Sequence, residues 1–388
     1  MRAEAVIDLA ALRGNIRALR ARTGSAAVMS VVKADAYGHG MVPCARAALD
    51  AGVTWLGTAT PEEALGLRAA GITAEQARVL CWLWTPAGPW EQAVAADIDI
   101  SVSGGWALRH VLAAVRATGR PARIHLKADT GLGRNGAQPH DWPELVAAAR
   151  AAEAEGLLAV AGVWSHFACA DEPGHPANTA QLDAFREALA VAEAAGLRPE
   201  VRHLANSPAT LTLPESHFDL VRTGLAQYGL SPVPDLAGPE EFGLRPVMTL
   251  QAGLAQVKRV PAGHGVSYGH RYVTEGDTTL ALVPLGYADG VPRHASDTGP
   301  LWLAGKWRTV AGRVAMDQFV VDLGGDRAEV GDLAVLFGPG DRGEPTAEDW
   351  ARATGTISYE IVTRIGVRVP RRYVGAEPVG AGTTEAGG

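Results

Sequence analysis

Only four of the 35 basic side chains are lysines, Lys33, Lys127, Lys258 and Lys306, and each raises the question of why an arginine does not stand there. Arginine is too basic to form a Schiff base with a carbonyl, whereas a lysine amine can form one. Lys33 opens the string KADAYGHG at 33–40, and Lys127 opens KADTGLGRNG at 127–136, which contains Arg134. Further along stand His166, then His203 followed by Asn206 and Ser207, then Arg222 followed by Gly224 and Leu225. Ser207, Gly224 and Leu225 would offer a phosphate group a hydroxyl and backbone amides, with Arg222 beside them. Taken alone, a strand-end lysine such as Lys33 is usually a solvated or ion-paired group. A lysine, a phosphate cradle and a neighbouring arginine, with no acidic cluster for a metal, together ask for a phosphorylated cofactor held as a Schiff base. Pyridoxal 5'-phosphate (PLP) answers that description.

The elements that must position these groups are visible between residues 28 and 225. Eight short apolar runs, at 28–34, 54–60, 79–84, 98–103, 123–128, 158–166, 201–206 and 219–223, alternate with Ala/Leu/Arg segments of helical period. Nearly continuous apolar runs suit strands covered on both faces. Eight of them close a (β/α)8 TIM-type barrel, in which chemistry gathers at the carboxyl ends of the strands. Asn178 is placed to cap a helix over 179–195, with Gln181 three residues on. The connection 207–218 is short and broken by proline, so the last barrel helix should be abbreviated. After the Pro/Gly-rich stretch 231–246 come strand-like runs at 247–260, 278–287, 301–314, 317–323 and 332–337, with one helix near 346–354. The barrel is therefore expected at 9–240 and a mostly β-strand domain at 241–375, with the N-terminal strand 1–8 pairing with the latter. The tail 376–388 has too little apolar surface to fold.

Composition narrows the function classes. With 388 residues, 47% of them apolar, and a net charge of −7, the chain can bury a large core but has no basic surplus for nucleic acid. Glu4 and Asp8 interrupt the N-terminus and no stretch holds about 18 consecutive apolar residues, so neither export nor a membrane span is expected. Three cysteines, odd in number and without CxxC spacing, suggest neither disulfides nor a zinc ribbon and fit the cytoplasm. The string HFACADEPGH at 166–175 holds ligand-type residues without regular helical spacing, so no metal site is assigned.

The strings VVKADAYGHG (31–40), KADTGLGRNG (127–136), WSHFACAD (164–171), HLANS (203–207), VRTGLAQYGL (221–230), VSYG (266–269), LGYADGVPR (285–293), GRVAMDQ (312–318) and TISYE (356–360), in that order, resemble the alanine racemases over nearly the whole chain. The resemblance implies interconversion of L-alanine and D-alanine, with D-alanine going to peptidoglycan. It implies PLP held by Lys33, and two catalytic bases, Lys33 and Tyr268. In that family the tyrosine comes from the partner subunit, so a homodimer shares its active sites. Tyr37, Ser207, Gly224, Leu225 and Tyr359 would bind the phosphate, with Asn206 in the same group. Arg222 would face the pyridine nitrogen with His203 behind it, and His166 would link to the tyrosine base. Since guanidinium only donates, that nitrogen would stay unprotonated and the ring would be a weaker electron sink. Arg134 would lie near the cofactor's phenolic oxygen and the substrate carboxylate, braced by Lys127, which is carbamylated in many members. Met316 and Asp317 would come across the subunit interface, and Tyr287 would line the entrance. Thr223 and Ala315 depart from the proline and cysteine common at those places. A broader-specificity amino-acid racemase is the nearest alternative. An amino-acid decarboxylase of the same plan lacks a counterpart here for its Gly-rich phosphate motif, and a PLP carrier would lack the β domain and Tyr268.

Overall fold

The computed structural model describes residues 1–375, and the tail expected at 376–388 lies outside them. The chain divides into two compact units, Asn15–Leu244 and a second built from Met1–Gly14 together with the chain from Arg245 onward. In chain order the first strands are β1 (Ala3–Asp8), β2 (Ala27–Val31), β3 (Trp55–Thr58), β4 (Arg78–Cys81), β5 (Ile98–Val102), β6 (Ala122–Lys127), β7 (Leu158–Trp164), β8 (Val201–His203) and β9 (Leu220–Thr223).

Strands β2 to β9 form one parallel sheet in the order β8-β7-β6-β5-β4-β3-β2-β9. Helices follow most of them, including Pro61–Ala69, Gly105–Thr118, Trp142–Ala154 and Pro176–Ala194. This is the (β/α)8 architecture. Its seam, between β8 and β9, has no regular ladder. It is closed by Asp219 N–H to Arg202 O (3.1 Å), by Arg222 N–H to Ala205 O (3.0 Å), and by the Asp219 carboxylate, which accepts from Arg202 Nε at 2.7 Å. Every residue of β3 and β5 is buried, as strands covered on both faces require. Met29, Trp55, Leu80 and Leu220 meet from four strands in one apolar layer.

Local chemistry sets the helix limits. Thr60 and Glu63 form a reciprocal cap at the start of Pro61–Ala69, with proline at the first helical position. The helix expected at 179–195 instead begins at Pro176, and His175 Nδ1 caps it by accepting from Ala177 N–H at 3.1 Å. Proline's fixed φ starts the helix early, so Asn178 falls inside the first turn. Its amide nitrogen donates to Cys169 O (3.1 Å) and Glu172 O (2.9 Å), tying down the preceding loop. The run 201–206 is a strand only as far as His203, and Asn206 caps the short helix Ser207–Thr212, its Oδ1 accepting from Ala209 N–H at 3.2 Å.

The other unit adds β10 (Met248–Gly253), β11 (Gln256–Val260), β12 (Gly265–Val266), β13 (Tyr272–Val273), β14 (Thr278–Val283), β15 (Pro300–Leu303), β16 (Lys306–Ala311), β17 (Phe319–Asp322), β18 (Leu333–Phe337) and β19 (Arg371–Val374). Its nine-stranded sheet runs β11-β14-β17-β16-β15-β18-β10-β1-β19, and β12 pairs with β13 in a separate ribbon. β1 lies antiparallel to β10 and parallel to β19. The run 301–314 is two strands, because Ala304 and Gly305 turn the chain with φ of 54° and 73°. Helix Ala347–Thr354 is capped by Thr346 and Asp349, and its buried Trp350 donates to Leu336 O at 2.6 Å. Among the described residues no helix is long and apolar enough to cross a membrane.

Candidate active site

Lys33 follows the carboxyl end of β2, and the chain beyond it turns left-handed. Ala34, Asp35, Ala36 and Tyr37 all have φ between 51° and 55°, a conformation that costs an L-residue about 1–2 kcal/mol each. Side chains pin the turn. Ala34 N–H donates to Glu63 Oε1 (2.6 Å), and Asp35 Oδ1 accepts from Met41 N–H (2.7 Å). Glu63, already the cap partner of Thr60, thus ties the Lys33 loop to the next helix. The Lys33 amine lies 5.9 Å from the ring centres of both Tyr37 and Trp82. Burial pulls its pKa down, and the charge of Arg134 adds to the effect.

Tyr37 leads to the second part of the site. A Cβ built on Gly224 would fall 2.2 Å from Tyr37 Oη, so only glycine lets these two segments meet. Ser207 Oγ accepts from Gly224 N–H (2.9 Å) and Ala226 N–H (3.3 Å), which leaves its own hydrogen to donate elsewhere. Asn206, Ser207, Gly224 and Leu225 are thereby gathered beside Tyr37, after strands β8 and β9.

Arg222 is buried at the end of β9. Its Nη1 donates to His203 Nδ1 (2.9 Å), and its Nη2 reaches Ser165 O (2.7 Å), Leu204 O (2.9 Å) and His166 Nδ1 (3.2 Å). Its guanidinium carbon sits 4.8 Å from the Trp164 ring centre. Burial, then the charge of Arg134, draws its pKa down to about 9, and the group remains charged at neutral pH. Burial and Arg222 push His166 and His203 well below the ordinary imidazole value, so both are neutral.

Lys127, at the end of β6, points its amine over the Trp164 ring at 4.1 Å and donates to Asn135 Oδ1. Burial, then Arg222 and Arg134, bring its pKa down to about 7. The exposed Arg134 rides on a loop held by Asp129, whose carboxylate accepts from Gly131 N–H (3.0 Å), Gly133 N–H (3.1 Å) and Gln138 Nε2 (2.9 Å). The charges of Arg134 and Arg222 lower the proton affinity of Lys33 and Lys127, and that of Arg134 lowers Arg222's as well. Such a concentration of positive charge is built to receive anions. With a lysine of lowered basicity and a glycine-lined hydroxyl cradle, these residues fit PLP and an amino-acid carboxylate.

The remaining expected residues belong to the β unit. Tyr268 stands on the turn between β12 and β13 with 69% of its surface exposed. Ser267, at φ 61°, anchors that turn through its hydroxyl to Arg313 O (2.6 Å). Tyr287, Met316 and Asp317 are neighbours: Tyr287 N–H donates to Ala315 O (3.1 Å), Ala288 N–H to Met316 O (2.9 Å), and Asp317 pairs with Arg368 at 2.7 Å. Tyr359 lies in helix Ser358–Thr363. Sequence reading passed over Asp99, His125, Trp164, Glu63 and Asn135. The signal for Asp99 and His125 was the alternation of polar with apolar residues in two otherwise buried strands, IDISV and ARIHLK.

Residues 7–232 match the model of the alanine racemase N-terminal domain, and residues 247–373 that of the alanine racemase C-terminal domain. The chain belongs to the alanine racemase family. It is 71% identical over 377 residues to the alanine racemase of Streptomyces coelicolor, covering 96% of either chain. The crystal structure of alanine racemase from D-cycloserine producing Streptomyces lavendulae is 69% identical and superposes with a TM-score of 0.95, over 97% of this chain and 98% of that one. The more distant alanine racemase of Corynebacterium glutamicum is 38% identical, with a TM-score of 0.82 over 96% and 99% of the two chains. The activity is that of an isomerase, alanine racemase. Alanine racemases use PLP.

Proposed function

We propose that the chain interconverts L-alanine and D-alanine with PLP by a two-base mechanism, in the cytoplasm, and that its D-alanine goes to peptidoglycan. The observation that carries this reading is Lys33, an amine of lowered basicity at a barrel mouth beside the cationic Arg134 and Arg222. When bound, PLP supplies the electron sink that lets the α-proton of alanine leave. Lys33 holds the cofactor and moves the proton at Cα on one face. Tyr37, Asn206, Ser207, Gly224, Leu225 and Tyr359 hold the phosphate, and Arg222 donates to the pyridine nitrogen with His203 behind it. Arg134 receives the substrate carboxylate, on a loop that Lys127 braces through Asn135. Tyr268 acts as the second base in the partner subunit's site within a homodimer, a role that suits a phenol so exposed on its own chain. Tyr287, Met316 and Asp317 line the entrance from the same side, and His166 links Arg222 to the tyrosine.

Covalent trapping tests the assignment. Borohydride treatment of the PLP-loaded enzyme should fix the cofactor on the peptide containing Lys33. Lys33→Arg should carry no fixed cofactor, with racemisation falling by about 10³-fold or more. Fixation on Lys127, Lys258 or Lys306 would refute it.

A further inference from the structure

Behind Arg222 a line of polar groups runs into the barrel interior. His203 Nε2 meets His125 Nδ1 at 2.9 Å, and His125 Nε2 meets Asp99 Oδ2 at 3.2 Å. Asp99 Oδ1 accepts from Arg123 Nε at 3.0 Å, and Arg123 in turn holds Glu200 at 2.7 Å. Asp99, His125 and His203 are fully buried. We infer that Asp99 and His125 are positioning residues that fix the tautomer of His203 and so present a lone pair, not a hydrogen, to Arg222. The inference deepens the proposed function, since it concerns the arginine assigned to the pyridine nitrogen and rests on that assignment for its catalytic meaning.

Counting hydrogens from either end gives the same answer. Guanidinium can only donate, so His203 Nδ1 must accept, and the neutral ring then carries its hydrogen on Nε2. That hydrogen points at His125 Nδ1, which must also accept, so His125 carries its hydrogen on Nε2 and gives it to Asp99. Starting instead from Asp99, a carboxylate kept ionised by Arg123 can only accept, and the same tautomers follow in reverse. A protonated His125 would donate from Nδ1 and force a hydrogen onto His203 Nδ1, directly against the Arg222 N–H at 2.9 Å. Each contact receives one hydrogen only when both rings are neutral Nε2–H tautomers.

The surroundings hold the rings in place. His203 stacks on Trp164 with planes 7° apart, and His125 stands edge-on to Trp55. Gly162 makes the room, because a Cβ there would come within 2.2 Å of His125 Nδ1. The two rings thus extend the buried charge of Asp99 to the guanidinium across neutral groups that polarise one another. Asp99 acts on Arg222 without touching it.

Nitrogen-15 NMR of the PLP-loaded enzyme with labelled histidine reads the tautomers directly, the signals being assigned with His203→Gln and His125→Gln. Both rings should show hydrogen on Nε2 and none on Nδ1. A hydrogen on Nδ1 of either ring overturns the inference, whatever the enzyme's activity. The readout survives failure of the cofactor assignment, since the tautomers can be measured even if no PLP binds. Kinetics add the consequence. In His125→Gln an amide can still accept from His203 and donate to Asp99, so kcat should stay within about threefold. In His125→Leu the His203 Nε2–H loses its acceptor, and kcat should fall about tenfold while KM for alanine holds. A leucine variant with wild-type kcat also overturns the inference. Should that variant fail to fold, the wild-type spectrum and the glutamine variant decide.

Discussion

Lys127 shows how a single amine can make stability depend on pH. Its buried place over Trp164, among Arg222 and Arg134, lowers its pKa to about 7, whereas the unfolded chain restores the ordinary value of 10.5. Between those two values the unfolded state binds more protons, so stability must rise with pH across that window. Below about 7 both states are protonated and the cost of the buried charge is borne in full; above 10.5 neither is, and the cost vanishes. Lys127→Met should therefore flatten the rise, and below neutral pH it should be more stable than the parent by a few kcal/mol. Urea unfolding midpoints from pH 6 to 10 compare the two, and parallel curves would show that the amine is not held this way. The same crowding of cations explains why Lys127 serves where arginine would not, since only lysine can shed its charge in such a place.

Tyr37 and Gly224 belong to different elements, and their contact joins the left-handed turn after β2 to the turn after β9. Gly224→Ala would set a methyl group against the phenol oxygen, where overpacking costs about 1–3 kcal/mol. Affinity for PLP should weaken about tenfold, read by titrating the cofactor-free protein, and an unchanged affinity would mean that this contact does not shape the site. That contact was not legible in the sequence, and neither was the turn itself, because ADAY contains no glycine and its alanines favour a right-handed helix. The strands of the barrel were legible because parallel strands buried on both faces leave long apolar runs, as VMSVV and VLCW do. Lys33, Lys127 and Arg222 stood out by residue type at strand ends. Asp99 and His125 did not, because polar residues alternating with apolar ones, as in IDISV and ARIHLK, read as a solvent-facing side of the strand until the barrel closes around it. Asn178 misled for a related reason: its usual role as a cap gave way to Pro176, which fixes the first turn three residues earlier than expected.

At the scale of the whole molecule the decisive prediction concerns assembly. Lys33 and Tyr268 lie in different units of one chain, and the proposed homodimer pairs each lysine with the partner's tyrosine. Equal mixing of Lys33→Ala and Tyr268→Phe proteins, with free subunit exchange, makes half of the dimers mixed. Each mixed dimer collects both lesions in one site and leaves the other intact, so about a quarter of wild-type activity should return. No recovery, with exchange shown by differently tagged subunits, would place both bases on one chain. The sheet of the β unit has a further consequence, in the order of synthesis. β1 leaves the ribosome before the other strands described, yet its partners β10 and β19 begin at Met248 and Arg371. At typical elongation rates β1 waits roughly 10–50 s for the first of them, while the whole barrel sequence passes. During that interval it exposes two unpaired edges. A nascent chain cut short after Gly253 but before Arg371 therefore carries every barrel strand but leaves β1 open along one side, a ready mark for quality control.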